Sequence, residues 1–116
     1  MGEETLDVGK FVSDYAANLE SHIRVDRILL FGSYARGEAT RDSDLDLIVV
    51  SPDFGEDILT DYTMAYRCLP DRVIDIDVKP CSPSKIAAVQ PDTFLAYALK
   101  ESKVVYENEA VASATR

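Results

Sequence analysis

Hydrophobic positions along the chain follow two periods. Phe11, Tyr15, Leu19 and Ile23 recur every four residues with Val8 and Val12 beside them, which predicts an amphipathic first helix. Residues 25–31 (VDRILLF) then form a short apolar run rich in branched side chains that ends at Gly32, the pattern of a buried strand feeding a turn. Residues 45–50 (LDLIVV) predict a second buried strand. Ile58, Tyr62, Ala65 and Leu69 mark a second helix, stopped by Pro70. In residues 72–78 (RVIDIDV), Asp75 and Asp77 alternate with Val73, Ile74, Ile76 and Val78, which predicts a third strand. Ser82-Pro83 is a good cap and first-turn pair for a third helix, and Phe94, Tyr97 and Ala98 suggest a fourth.

The chain has 116 residues, enough for one domain with a real core and little room for a second module. Residues 1–107 are expected to form that domain, and 108–116 a flexible tail. No run approaches the roughly 18 apolar residues of a membrane span. The N-terminus MGEETLDVGK is acidic where a signal peptide would be basic, so a cytoplasmic location is expected. The formal net charge is −9, which opposes direct binding to a nucleic-acid backbone and disfavours a polymerase working on long templates. Cys68 and Cys81 form no CxxC and are expected to be reduced thiols. The single histidine, His22, ends the first helix and needs no catalytic role.

The chemistry concentrates in residues 31–50, FGSYARGEATRDSDLDLIVV. Gly32 lets the backbone approach a ligand closely. Ser33 is placed to cap the short helical turn that follows, where helix N-terminal amides favour an anion such as phosphate. Asp44 and Asp46 project together, because residues two apart on a strand share a face. Two such carboxylates repel unless a proton or cation lies between them, and hard oxygen ligands of this kind suit Mg²⁺, which completes its octahedron with water and substrate phosphates. If the 72–78 strand lies beside the Asp44/Asp46 strand, its acids can complete the metal site. Asp75 can equally point to solvent on an edge strand. Arg36 and Arg41 can neutralise a triphosphate, or can be surface residues of a charged loop.

Gly32-Ser33, a ten-residue spacer, Asp44-x-Asp46 and a later strand with one more Asp together resemble the nucleotidyltransferase superfamily that includes DNA polymerase beta. Within it they resemble the small minimal nucleotidyltransferase (MNT) proteins of the antitoxin type, over about Val25 to Glu107. Tyr34-Ala35-Arg36-Gly37 and Ser43 also look like the family's usual filler. In many relatives the third Asp lies six residues before a Thr/Ser-Pro that opens a helix, and counting back from Pro83 reaches Asp77. Val104-Val105-Tyr106-Glu107 looks like the family's closing strand. The expected fold is therefore α/β in the order α-β-(turn)-β-α-β-α-α-β, a small mixed sheet with helices packed on it and the motif at one sheet edge.

The resemblance implies an Mg²⁺-dependent nucleotidyl transfer from a nucleoside triphosphate, ATP by analogy. One Mg²⁺ is expected on Asp44 and Asp46 and a second shared with Asp77, with Gly32, Ser33, Arg36 and Arg41 around the nucleotide. Larger relatives bind the acceptor with an added helical domain for which this chain has no room, so a second protein is the simplest acceptor surface. Small family members pair with a helical HEPN-type partner in toxin–antitoxin systems, some adenylylating a tyrosine of the toxin. Modification of a small molecule such as an aminoglycoside, or neutralisation of a partner by contact alone, are the other readings the sequence leaves open.

Overall fold

The computed structural model describes residues 6–71 and 74–114. The first nine elements follow the predicted order, α1 (Val8–Glu20), β1 (Arg27–Phe31), α2 (Ser33–Arg36), β2 (Leu45–Val50), α3 (Ile58–Arg67), β3 (Ile76–Cys81), α4 (Pro83–Ala87), α5 (Phe94–Glu101) and β4 (Lys103–Glu107), and α6 (Glu109–Ala114) comes after them. The strands form one mixed sheet in the order β3-β2-β1-β4. β1 is antiparallel to β2 and β4, whereas β2 and β3 are parallel. The parallel pair needs a crossover, which α3 supplies.

This topology places the motif. The C-terminal end of β1 and the N-terminal ends of β2 and β3 all lie at one end of the sheet. The predicted sheet edge is thus a strand-end edge, built on the interior strand β2, rather than a lateral one.

Alternation along the strands divides the core between the two faces. Ile28, Leu30, Leu45, Leu47, Val49 and Val78 pack with Phe11, Val12, Tyr15 and Leu19 of α1 and Ala65 of α3. On the opposite face Leu29, Phe31, Ile48, Val50 and Cys81 lie under Ala98, Leu95 and Leu99 of α5. Each fully buried large aliphatic side chain stabilises the fold by about 1.5–3 kcal/mol relative to exposure. Asp46 and Asp77 share the second face with Phe31, at the end where α5 begins.

The helix signals act largely as the sequence predicts. The Ser82 hydroxyl accepts the Lys85 N–H at 3.1 Å with Pro83 opening α4, and Thr93 caps α5 in the same way.

Four expectations are corrected. β1 begins at Arg27, with Val25 buried just ahead of it. β3 begins at Ile76, so Asp75 precedes the strand; Arg72 and Val73 lie outside the described residues. β3 then runs on through Pro80, which an edge strand tolerates. α3 buries only part of the expected stripe: Ala65 is buried and Leu69 packs on the core, whereas Ile58 and Tyr62 are exposed and Asp61 and Cys68 are buried. Asp61 is drawn in because its carboxylate accepts the Gly55 N–H at 2.9 Å. Finally, the predicted tail is helical over 109–114. Asn108 anchors it, donating its backbone N–H to Asp26 and accepting the Ala110 N–H on its side chain.

Candidate active site

Gly32 adopts φ 77° and ψ −156°, a region open essentially to glycine alone. The reason is spatial as well as conformational. A Cβ added there would run into Oδ2 of Asp46, with the Asp46 Cγ at 3.3 Å. The turn and the carboxylate are therefore packed against each other, which follows from the β1–β2 register pairing Phe31 with Asp46.

Ser33 is the first helical residue of α2 rather than its cap. Gly32 holds the cap position without a side-chain bond, and the Gly32 carbonyl accepts the Ala35 and Arg36 amides. Ser33 still stands at the start of the turn, beside the carboxylates. The turn ends at Gly37, in the left-handed conformation at φ 73°.

The parallel β2–β3 register sets Asp77 directly opposite Asp46. Asp44 lies one residue ahead of β2. Burial holds the Asp46 carboxyl above its usual range, reinforced by the negative charges of Asp77 and Asp44 and opposed by Lys79 and Arg36. The three acids thus share one field, and it disfavours a third unneutralised negative charge.

Asp75 is exposed and lies before the strand rather than on it. Its carbonyl accepts the Leu45 N–H at 3.0 Å. With Arg41, Asp42, Ser43, Asp44 and Ile74 it lines an open polar cavity of about 230 Å³. Arg41 is therefore near Asp44, while the exposed Arg36 pairs with Glu38 at 2.9 Å. The structure brings Gly32, Ser33, Asp44, Asp46 and Asp77 together, with both arginines on the margin.

Two contacts were not visible in the sequence. Tyr66 of α3 donates its hydroxyl to Oδ1 of Asp77 at 3.3 Å while accepting the Val78 N–H at 2.9 Å. Lys79 places its Nζ 3.0 Å from Oδ2 of Asp77 and 5.5 Å from the centre of the Phe94 ring. Strand alternation could have put Lys79 on the face of Asp77. Nothing in the sequence links Tyr66 to it, because that contact depends on how α3 packs.

All the candidate donors are carboxylate oxygens, which fit a hard divalent cation. Among the described residues no three His, Cys, Asp or Glu side chains converge into a ready-made cage. Both oxygens of Asp77 are instead engaged by Tyr66 and Lys79.

The mixed sheet thus carries a glycine turn packed on an Asp-x-Asp strand with a third Asp in register. The family model of the nucleotidyltransferase domain matches residues 12–106, and the chain belongs to that family. It is a nucleotidyltransferase. It is 31% identical over 71 residues to "Putative protein adenylyltransferase MJ0604" of Methanocaldococcus jannaschii, a match covering 57% of this chain and 71% of that one. A crystal structure from Sulfolobus solfataricus described as a "putative nucleotidyltransferase" superimposes with a TM-score of 0.67 at 18% identity, over 94% of each chain. A toxin–antitoxin structure with AMP-PNP gives a TM-score of 0.62 at 20% identity, covering 94% of this chain and 80% of the other. A toxin–antitoxin MntA-HpeT mutant gives 0.61 at 17%, with the same coverage. At these identities the structural likenesses establish the fold.

Proposed function

We propose that the chain transfers AMP from ATP to a hydroxyl of a partner protein, as the antitoxin of a HEPN/MNT toxin–antitoxin pair, through a site in residues 1–107. The observation that carries the reading is the in-register pairing of Asp46 with Asp77 beside the Gly32 turn. The adenylyltransferase relative supports protein as the acceptor, and the structural neighbours support a toxin partner and an adenine nucleotide.

In this reading Asp44 and Asp46 would hold one Mg²⁺, and Asp77 would help to hold a second. Bound there, the cations would neutralise triphosphate charge and stabilise the attacking and leaving oxygens of an in-line displacement. Gly32, packed against Asp46, sets the start of α2 beside that carboxylate, and the Ser33 hydroxyl and the first amides of α2 donate to phosphate oxygens. Arg36 and Arg41 face the outer phosphates once Arg36 leaves Glu38. The acceptor hydroxyl bonds to the α-phosphorus as the bond to the pyrophosphate oxygen breaks, and Asp77 accepts the hydroxyl proton.

Transfer of label from α-phosphate-labelled ATP to a co-expressed helical partner tests the proposal. Label on the partner, lost with Asp46→Asn, is the expected result. Label found only on small molecules would move the activity to the small-molecule class, and no label on any acceptor would leave neutralisation by contact.

A further inference from the structure

Asp77 is gripped from two sides by groups that differ in what they can give up. On one side stands Tyr66. β3 is an edge strand, and the Val78 N–H, which has no further strand beyond it, goes to the Tyr66 oxygen at 2.9 Å. A phenol that accepts from a backbone amide has its one proton left to donate, and Oδ1 of Asp77, 3.3 Å away, is its acceptor. The bond is built into the α3–β3 packing and stacked against Tyr62, with ring centres 6.4 Å apart and planes 16° from parallel.

On the other side stands Lys79. It reaches back along the sheet face to Oδ2 of Asp77, and its charge also acts on Asp46. The lysine side chain is 29% exposed and that of Asp77 is 47% exposed, so the pair is half-solvated and weakly held. The Phe94 ring beneath its Nζ offers the ammonium a second resting place at 5.5 Å.

We propose that Tyr66 is a positioning residue that fixes Asp77 through Oδ1, and that Lys79 is a resident counter-ion that holds Oδ2 until a divalent cation takes its place. The inference rests on the reading of Asp77 as the third metal-site carboxylate. The Lys79 ammonium, 3.0 Å from Oδ2, neutralises Asp77 from within the chain. Two neighbours of one carboxylate therefore act with opposite signs. Tyr66 favours metal binding by preorganising its ligand, whereas Lys79 competes with it.

The test is the Mg²⁺ concentration at the midpoint of the metal-dependent rise in melting temperature, measured on the full chain without nucleotide. Each variant is compared with its own metal-free melt, so a general loss of stability does not enter. Tyr66→Phe is expected to raise the midpoint about tenfold, the usual effect of removing a group that orients a metal ligand. Lys79→Met, which keeps the stem over Phe94, is expected to lower it about two- to fivefold, in keeping with a weak ion pair. Asp77→Asn should raise it at least as far as Tyr66→Phe, and adding Tyr66→Phe to Asp77→Asn should change nothing further.

If Asp77→Asn leaves the midpoint unmoved, or the unsubstituted chain shows no Mg²⁺ response, the metal-site reading fails and the clamp with it. If Asp77→Asn raises the midpoint but Tyr66→Phe does not, or Lys79→Met raises it, the site stands and the clamp is wrong.

Discussion

Gly32→Ala tests the link between the turn and the carboxylate most directly. At φ 77° and ψ −156° an L-residue is strained by about 1–3 kcal/mol. The new methyl also meets Oδ2 of Asp46, and because that oxygen ends a short side chain on a central strand, either the carboxylate rotates away or the turn lifts. A shift of about 1 Å at a reacting centre lowers rate by about a hundredfold. The variant should therefore melt roughly 5–15 °C lower by calorimetry and transfer label at least about a hundredfold more slowly at saturating nucleotide. Gly37→Ala is the control. Gly37 is also left-handed, at φ 73°, but an added Cβ meets nothing within 4 Å; it should lose about 1–2 kcal/mol from strain alone and keep its transfer rate. A Gly32→Ala protein with unchanged melting and unchanged turnover would refute the packed-turn argument. Equal loss of rate in both variants would show that only backbone strain matters.

Further outcomes follow from the acids. Because burial and neighbouring acids raise the Asp46 carboxyl, the folded metal-free protein holds that proton more tightly than the unfolded chain does, and this stabilisation fades as pH rises through the folded value. Asp46→Asn should thus melt no lower than the unsubstituted chain in chelator at neutral pH, lose any advantage at acid pH, and abolish transfer. A clear destabilisation at neutral pH would contradict the shared-field account. Asp44→Asn should likewise abolish transfer while leaving the fold intact by circular dichroism. Asp77→Ala should slow single-turnover transfer by several orders of magnitude, whereas Asp75→Ala, outside the strand and exposed, should slow it less than about tenfold, about 1.4 kcal/mol of barrier; the reverse ranking would pass the third-carboxylate role to Asp75. ATP and Mg²⁺ together should raise the melting temperature by more than the sum of their separate effects, and additive shifts in a thermal melt would count against a joint site.

What the sequence determined by itself is the local geometry. The four-residue spacing from Phe11 to Leu19 fixed which side of α1 is buried, and the apolar runs fixed β1 and β2 to within two residues. The two-residue spacing set Asp44 and Asp46 on one side of β2, while Gly32 at the end of an apolar run marked the turn after β1. These follow from backbone sterics and a side-chain period that act over a few residues. The tertiary structure decided the rest. The spacing of Ile58, Tyr62, Ala65 and Leu69 marked α3 as a helix, but only Ala65 and Leu69 of that stripe pack on the core, while Asp61 is drawn inward by the Gly55 N–H, a partner that polarity alone does not reveal. Strand alternation left Asp75 and Asp77 nearly equivalent, since both lie on one alternating run. Only the parallel register, with Leu45 opposite Ile76, brings Asp77 to Asp46 and leaves Asp75 outside the strand. The grip of Tyr66 and Lys79 on Asp77 arises at the same level. Register and helix rotation are chosen by whichever arrangement buries the apolar faces of all elements at once while satisfying their polar groups, and that condition belongs to the whole chain rather than to any window of it.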